Sequence, residues 1–444
     1  EIRSAGINGL QDALTMMVPS LSFSPSAMGS YLRMNGLTNS HVAVLLNGRK
    51  MTGDISGNID LGQIDINLIK RIEVLNGAAS TLYGSDAVGG VINIITAGPD
   101  EESEFTTNSR YTRDGQFNQG LDLSLRAGRV GSLTAYNYSH SDGWQNSRYT
   151  EDDGELIETL AQLSLGYTSN NLTQRFTYDA SERLALYAEG GYYSRLLDRP
   201  VERKDMSGGS KYNTFSESFS WGAGGAYSLG ALGSVKFDYS GRTYGQWYKY
   251  MIASGDYLPG DYYKTKRQDY HDVELRGIFN FTDNSNTVFG TDYRYETLDR
   301  PESDLNKGLG TFSVYGQHEQ RLAGHLTLLA GLRYDLHQEI GSRLTPKVAL
   351  MYNKGNFNAR ATYAAGYRTP GIDELYYHML KPMGSRHIIT FGNRDLKAEN
   401  SNFGSINVEY RTSRLTVSLT GYLNFVKNMV TSRSTKFSAM SESE

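Results

Sequence analysis

Residues 76–96, NGAASTLYGSDAVGGVINIIT, are the most informative stretch of the sequence, because a glycine-rich segment is followed there by a β-branched one. Before Val91 the stretch holds four glycines and three serine or threonine residues. Glycine at this density is typical of tight turns that need positive backbone φ angles. The stretch then ends in β-branched residues interrupted once, by Asn93, which is typical of a buried strand. The sequence therefore predicts a tightly turned unit whose last strand leads into a different architecture.

Upstream of this stretch the sequence predicts a small mixed α/β unit. GLQDALTMMVP, residues 9–19, has helical apolar spacing and a proline at its end. The stretch HVAVLLNGRKM, residues 41–51, predicts two short strands around an Asn47-Gly48 turn. The stretch IKRIEVLNG, residues 69–77, predicts a third strand. We assign residues 1–98 to this unit.

From residue 99 onward the polar and apolar residues alternate almost everywhere. In HDVELRGIFNF, residues 271–281, the apolar residues and the charged residues occupy opposite faces of a strand, and LTVSLTGYLN, residues 415–424, repeats the pattern. Strands of about ten residues with one apolar face are what a transmembrane β-barrel requires. No run approaches the roughly 18 apolar residues of a membrane helix.

The connections between these strands are short on one side and long on the other. Short turns such as GRVG, residues 128–131, alternate with long polar insertions at about 140–172, 196–214, 247–268, 298–310 and 367–402. Outer-membrane barrels have short periplasmic turns and long extracellular loops. Counting in this way predicts fifteen antiparallel strands by residue 424. A soluble β-solenoid or sandwich is the alternative, but it lacks this asymmetry.

Composition excludes several function classes. The chain has 444 residues, no cysteine and a net charge of -4 with mixed signs, so it offers neither a thiolate metal site nor an electrostatic footprint for nucleic acid. No nucleophile elbow, phosphate loop or zinc signature is present, so no catalytic residues are predicted. An outer-membrane protease, an adhesin and a passive porin are alternatives, but the last two would not carry the leading α/β unit.

The chain resembles the TonB-dependent outer-membrane receptors over its whole length. The stretches that carry the resemblance are VAVLLNGRKM, IKRIEVLNGAASTLYGSDAVGGVINIIT, YRTP at residues 367–370 and GNRDLKAENS at residues 392–401. The resemblance implies a plug, residues 1–98, inside the lumen of a barrel, residues 99–444, in the outer membrane of a Gram-negative bacterium. It also implies a scarce large nutrient as ligand, the inner-membrane TonB complex as partner, and no resident cofactor.

The resemblance implies missing material as well. Family barrels have 22 strands, so we expect this chain to be incomplete at its C-terminal end, and the energy-coupling segment to precede residue 1. Arg71 and Glu73 are expected to be charges between plug and wall. Asn76 stands where many relatives carry arginine, so one ion pair between plug and barrel is expected to be lost.

The loop between YRTP and NRDL suggests haem as the ligand. In haem receptors of this family the corresponding loop carries a histidine that ligates the iron, and His378 and His387 are the candidates here. His337 is a third candidate, because its strand position points it towards the lumen mouth. The other expected contacts of this loop are Tyr367, Arg368, Tyr376, Tyr377 and Arg386.

Two other ligands stay open. Thr369 and Arg394 replace the alanine and proline usual in the two motifs that bound the loop, and related motifs occur in ferric-siderophore and cobalamin receptors. In EDDGE, residues 151–155, the carboxylates Asp152, Asp153 and Glu155 are weak calcium candidates, as in the outer loops of cobalamin receptors, although a solvated acidic turn is the plainer interpretation. A surface lipoprotein that delivers the ligand is a further candidate partner.

Overall fold

A computed structural model describes residues 10–26, 29–51, 59–99, 102–112, 115–152, 154–203, 206–383 and 386–433. The leading part of this chain is the α/β unit that the sequence predicts. Its elements are α1 (Leu10–Met17), β1 (Leu21–Ser26), β2 (Gly29–Met34), β3 (Leu37–Thr38), β4 (Val42–Leu46), β5 (Arg49–Lys50), β6 (Ile69–Asn76), α2 (Ser80–Tyr83) and β7 (Gly90–Thr96). The helix and the three strand regions expected here are thus all present.

The central sheet of the plug is built around the strand β7. The order is β5-β4-β7-β6, with β4 parallel and β6 antiparallel to β7. Both faces of β7 are buried, with Ile92 and Ile94 on one side and Val91 on the other, which is why the strand is a nearly continuous run of β-branched residues. Ile92 and Ile94 are fully buried in a core shared with Leu14, Met34 and Val44.

The asparagine inside this run has a defined task. Asn93 accepts a hydrogen bond from the Gly48 backbone N–H at 2.9 Å, and its amide donates to Glu73 Oε2 at 3.0 Å. Gly48 lies in the predicted Asn47-Gly48 turn, where both residues have positive φ, 54° and 83°. Asn93 therefore ties the hairpin turn to the edge strand β6 and satisfies polar groups that the sheet would otherwise leave unpaired.

The rest of the chain forms one antiparallel sheet of fifteen strands, the predicted number. In chain order the strands are β8 (Glu104–Tyr111), β9 (Phe117–Ala127), β10 (Val130–Ser141), β13 (Gly166–Asp179), β14 (Leu184–Asp198), β15 (Tyr212–Ser228), β16 (Gly233–Tyr250), β17 (Tyr262–Phe279), β18 (Ser285–Arg300), β19 (Leu305–Ala323), β20 (Leu326–His337), β21 (Gly341–Lys354), β22 (Phe357–Arg368), β25 (Glu399–Arg411) and β26 (Thr416–Lys427). Neighbours in sequence are neighbours in the sheet, because each turn joins adjacent antiparallel strands.

The long loops carry short elements of their own. One loop holds the hairpin β11 (Tyr149–Asp152) and β12 (Glu155–Glu158). The loop after β22 holds α3 (Ile372–Tyr376) and a second hairpin, β23 (His378–Met383) and β24 (Arg386–Phe391). No helix in the described part of the chain is long and apolar enough to cross a membrane.

The sheet has one apolar and one polar face, as predicted. Tyr293 and Tyr295 are 48% and 38% exposed on the outer face, where lipid would contact them. Tyr193 lies on the opposite face. Its side chain is 3% exposed on the inner face, and its hydroxyl donates to Asp60 of the plug at 2.7 Å.

The prediction of a long insertion at residues 298–310 is wrong. β18 continues to Arg300 and β19 starts at Leu305, so only four residues connect them. Leu298, Leu305 and Leu309 are instead buried against α3 from a later loop. β18 and β19 are longer than predicted here because α3, which lies far along the chain, covers their apolar residues.

The first and last strands, β8 and β26, form the two edges of the sheet, and within the described residues they are not paired with each other. The expected boundary between plug and barrel at residue 98 falls between the end of β7 at Thr96 and the start of β8 at Glu104.

Candidate functional site

The fifteen-stranded sheet wraps around the plug. Asn171 of β13 donates to the Gln63 carbonyl at 2.7 Å, and Arg195 of β14 pairs with Asp60 at 3.1 Å. On the far side of the plug, Thr81 donates to the Thr345 carbonyl of β21 at 3.2 Å. Contacts from strands this far apart in the sheet show that the plug lies inside its curvature.

The glycine-rich stretch is pressed against the wall. Gly77 has φ +83°, and a Cβ added there would overlap the ring of Phe403 on β25. Gly84 has φ +72°, and an added Cβ would lie 3.1 Å from the guanidinium of Arg333 on β20. Both positions require a positive φ and a bare backbone, which only glycine supplies without strain. This explains the composition of residues 76–90.

The YRTP segment, residues 367–370, fastens this stretch to the wall. The Tyr367 backbone N–H donates to Ser80 Oγ at 3.2 Å, and its carbonyl accepts from the Asp86 N–H at 3.2 Å. The Thr369 N–H donates to Ser85 Oγ at 3.0 Å. Tyr367 and Arg368 are 1% and 6% exposed, so both are packed between plug and wall rather than presented to a ligand in the mouth.

Arg368 is the centre of a buried chain of ionic groups. Its guanidinium donates to Glu399 Oε1 at 2.6 Å and to both oxygens of Glu374 at 2.6 Å. Glu399 is fully buried, and its other oxygen lies 2.6 Å from Nε2 of His41 in the plug. The chain His41, Glu399, Arg368, Glu374 thus links plug, wall and loop helix α3.

A second ion pair lies beside this chain, within the plug. Lys50 pairs with the half-buried Asp86. Burial opposes ionisation of Asp86, but the positive charges of Lys50 and Arg368 outweigh it and hold the pKa of Asp86 below its usual range.

The charges expected between plug and wall lie elsewhere. Arg71 pairs with Glu73 at 2.7 Å, two residues along the same plug strand, and both are largely exposed, so the expectation of a wall contact for them is wrong. Asn76 accepts from Ser20 within the plug at 2.8 Å. The ionic contact between the plug and Glu399 of the wall is made by His41.

Two well-formed cavities lie between the described residues of the plug and the wall. The larger, about 220 Å³, is here called the chamber; it lies between plug residues such as Lys50 and Asp86 and wall residues such as Arg333 and His337, and residues 370–374 cover it. The smaller, about 110 Å³, lies deeper, beside Arg49 and Arg242. Ligand pockets usually occupy about 300–1,000 Å³, so neither cavity accommodates a large nutrient while the plug is in this position.

The mouth above the chamber is lined by stacked tyrosines. Tyr212 and Tyr248 have ring centroids 3.8 Å apart, and Tyr250 and Tyr257 stack at 4.5 Å. Tyr263 bridges the two pairs, at 6.4 Å from Tyr248 and 5.6 Å from Tyr257. All five residues are only partly buried, so part of each side chain is accessible to solvent. We call these five residues the tyrosine arc.

The loop helix continues the arc with cationic groups. Arg300 lies over the ring of Tyr377 at 4.3 Å, and the Tyr377 hydroxyl donates to Glu302 at 2.9 Å. Burial and this carboxylate raise the pKa of Tyr377 to about 12. Tyr376 lies between Lys307, at 5.6 Å, and Arg394, at 5.3 Å. Tyr376 and Tyr377 therefore lie beside these cationic groups at the mouth.

The three candidate histidines lie in different places. His378 is exposed at the base of the hairpin β23–β24, with its ring 5.1 Å from that of Phe391. The side chains of Arg386 and His387 lie outside what the structure describes, although their backbones belong to β24. In the hairpin register His378 faces Phe391 and His387 faces Pro382, which separates the two histidines by roughly 13 Å at about 3.4 Å per residue.

His337 is 4% exposed and lines the chamber, not the mouth. Its Nδ1 accepts backbone N–H bonds from Glu339 and Ile340, each at 3.2 Å. The neutral ring then carries its proton on Nε2, so iron ligation there would require loss of both bonds. The geometry makes His337 a structural residue.

The calcium candidates lie in the hairpin β11–β12. Asp152 and Glu155 are opposite each other in its register, and Asp153 lies outside the described residues. Within the described part of the chain no group of three or more histidine or carboxylate side chains converges as a metal site would require.

The tyrosine arc was missed from the sequence, although a signal exists. Residues 247–263, WYKYMIASGDYLPGDYY, concentrate tyrosines at two strand ends around a long loop. Tyr248 and Tyr250 continue the face of the buried residues Tyr244 and Gln246. Strand parity combined with loop side would have placed them at the lumen mouth.

Two family models match the chain. The TonB-dependent Receptor Plug Domain matches residues 1–91, and the TonB dependent receptor-like beta-barrel matches residues 148–441. Among curated proteins, the vitamin B12 transporter BtuB of Photobacterium profundum is 24% identical over 407 residues, which cover 89% of this chain and 60% of that protein. The chain thus spans about 60% of the length of this relative.

Solved structures share the fold. The ferric enterobactin receptor PfeA of Pseudomonas aeruginosa, in complex with enterobactin, superposes with a TM-score of 0.78 at 18% identity, covering 95% of this chain and 70% of that one. The FrpB iron transporter of Neisseria meningitidis has a TM-score of 0.76 at 13% identity and covers 94% and 70%.

Proposed function

The chain belongs to the TonB-dependent receptors, and from this premise we propose that it takes up a large, metal-containing nutrient from outside the cell and passes it to the periplasm. Membership confirms the family identified from the sequence and locates the chain in the outer membrane of a Gram-negative bacterium. The proteins that it matches are transporters and receptors, not enzymes.

One observation carries this proposal: the lumen is filled by the plug, while an open mouth lies directly above it. The two cavities described above, about 220 and 110 Å³, are smaller than a pocket for a large nutrient. A ligand must therefore bind in the mouth first, and the plug must rearrange before it passes. The force for this step is proposed to come from the inner-membrane TonB complex.

For the ligand we propose an anionic chelate with flat aromatic groups, the class that contains haem and ferric catecholates. The partly exposed rings of the tyrosine arc favour stacking with aromatic faces. Lys307 and Arg394 lie at the same mouth and favour negative charge, whereas the charge of Arg300 is paired with Glu302 at 2.6 Å. Haem is the member that the sequence suggested, with His378 or His387 as an axial ligand of the iron.

Cobalamin is the second candidate. Its support is the similarity to vitamin B12 transporters, which extends over 89% of this chain and over 91% for the Vibrio cholerae protein.

Binding of three probes to the purified chain tests these alternatives. Hemin is expected to give a sharpened, red-shifted Soret band that is lost in His378→Ala or in His387→Ala. His325→Ala is the matched control, because His325 is exposed at a turn at the opposite end of the barrel. Saturable binding of ferric enterobactin without a hemin spectrum would assign the catecholate, and binding of cyanocobalamin alone would overturn the anionic aromatic class.

A further inference from the structure

The loop helix α3 lies between the mouth and the chamber. On one side its last residue, Tyr376, and the following Tyr377 border the mouth. On the other side residues 370–374 cover the chamber above the plug. Ile372 and Leu375 hold the helix in an apolar cluster with Leu298. Any ligand that moves the two tyrosines therefore acts on the cover of the chamber.

The underside of α3 is connected to the plug by charge. Glu374 accepts two bonds from Arg368, and it also accepts the Gly371 N–H at 2.8 Å, so it holds both the helix start and the guanidinium. Arg368 also binds the fully buried Glu399, and Glu399 binds His41 at 2.6 Å. His41 is itself fixed by Thr38, 2.9 Å from its Nδ1.

We propose that Glu374, Arg368, Glu399 and His41 act as one coupling unit that transmits displacement of α3 in the mouth to strand β4 of the plug. The part of this inference that concerns the ligand rests on the proposed function. Arg368 and Glu399 are positioning residues in it; neither is expected to touch the ligand.

The physical reason is the cost of breaking the unit at one point. Removal of one partner from a buried, hydrogen-bonded charge pair leaves the other charge without compensation. Withdrawal of Glu374 therefore leaves Glu399 as the remaining hydrogen-bonded carboxylate of Arg368, with Asp86 nearby, and draws Glu399 towards Arg368 and away from His41. Since β4 starts at Val42, directly after His41, its attachment to the wall loosens.

A cysteine reporter in the plug core tests the coupling without any ligand. The chain has no cysteine, so Ala43→Cys creates a unique thiol. Ala43 is 1% exposed, lies in β4 two residues beyond His41, and packs with Leu45 and Val91 outside the chamber. A maleimide reagent labels it only when β4 opens locally. The measurement is the labelling rate in the full chain under native conditions.

In this background Glu374→Gln and His41→Leu are each expected to raise the labelling rate about fivefold or more, the lower limit of usual coupling between sites. The double variant is expected to stay well below the product of the two effects, because either change breaks the same unit. His41→Gln, whose amide can still donate to Glu399, is expected to restore a rate near the starting value.

Asp373→Asn is the matched control. Asp373 lies on the same helix and beside the same chamber, but it bonds the Glu374 backbone N–H and not Arg368. Its labelling rate is expected to stay within twofold of the parent. An unchanged rate in Glu374→Gln, fully multiplicative effects in the double variant, or an equal effect of Asp373→Asn would each overturn the coupling unit.

A second arm adds hemin, ferric enterobactin or cyanocobalamin. The coupling unit predicts that the probe that binds changes the labelling rate in the parent but not in Glu374→Gln. Normal coupling without probe, together with no binding of any probe, would reject the proposed function alone; binding with no change of rate in the parent would reject the coupling alone.

Discussion

Replacement of Gly77 by alanine tests whether the glycine-rich stretch is needed for close contact with the wall. At φ +83° an alanine adopts the left-handed region at a cost of roughly 1–2 kcal/mol. Its Cβ would also have three atoms of the Phe403 ring within 2.6 Å. Relief of such an overlap in a packed site costs about 1–3 kcal/mol. Gly77→Ala is therefore expected to lower the free energy of plug unfolding by roughly 2–5 kcal/mol.

Gly36→Ala separates the two terms. Gly36 lies in a plug turn with a nearly identical φ of +79°, but an added Cβ would meet nothing within 4 Å. This control is expected to cost roughly 1–2 kcal/mol, the backbone term alone. In a Phe403→Ala background the ring is absent, so Gly77→Ala is expected to cost no more than the Gly36 control.

Urea titration with brief proteolysis measures the effect, because the folded plug inside the sheet resists the protease and the unfolded plug does not. Equal losses for Gly77→Ala and Gly36→Ala, or an unchanged loss after removal of the Phe403 ring, would refute the close-contact explanation.

Three further outcomes are expected. Asn93→Val is expected to destabilise the plug by about 1–3 kcal/mol in the same titration, because it leaves the Gly48 N–H without its bond, whereas Glu73 keeps Arg71 and solvent. Asp86 stabilises the plug fully above its unfolded pKa of about 4. Because its folded pKa is depressed, this contribution is lost as the pH falls below that value and through the folded pKa, so Asp86→Asn or Lys50→Met is expected to flatten plug stability below about pH 4. Tyr212→Leu is expected to weaken binding of the probe about 3–10-fold by the loss of stacking, whereas Tyr293→Leu on the lipid face leaves it unchanged, as measured by equilibrium titration.

The site was predicted less completely than the fold. The loop after YRTP was predicted to contact the ligand, and its residues Tyr376 and Tyr377 lie at the mouth. Tyr367 and Arg368, expected to contact the ligand, are buried against the plug instead. A motif at a strand end indicates where a loop begins, but it does not reveal which groups the folded plug will place against it.

The number of strands, the end of the barrel at which each loop lies and the presence of the plug were predictable from the sequence alone. Alternation of polar and apolar residues is a local property of each strand, and glycine density is a local property of each turn, so both can be read without knowledge of the partners. The Asn47-Gly48 turn and the strand β7 were predictable for this reason.

The side chains that meet across the lumen could be identified only from the tertiary structure. The pair His41 and Glu399 is separated by 358 residues, and the burial of Leu298 and Leu305 depends on a helix some 70 residues later. Such contacts are set by the curvature of the sheet and by the depth of the plug, and a single strand encodes neither. The buried ionic unit and the tyrosine arc therefore form only when the sheet wraps around the plug.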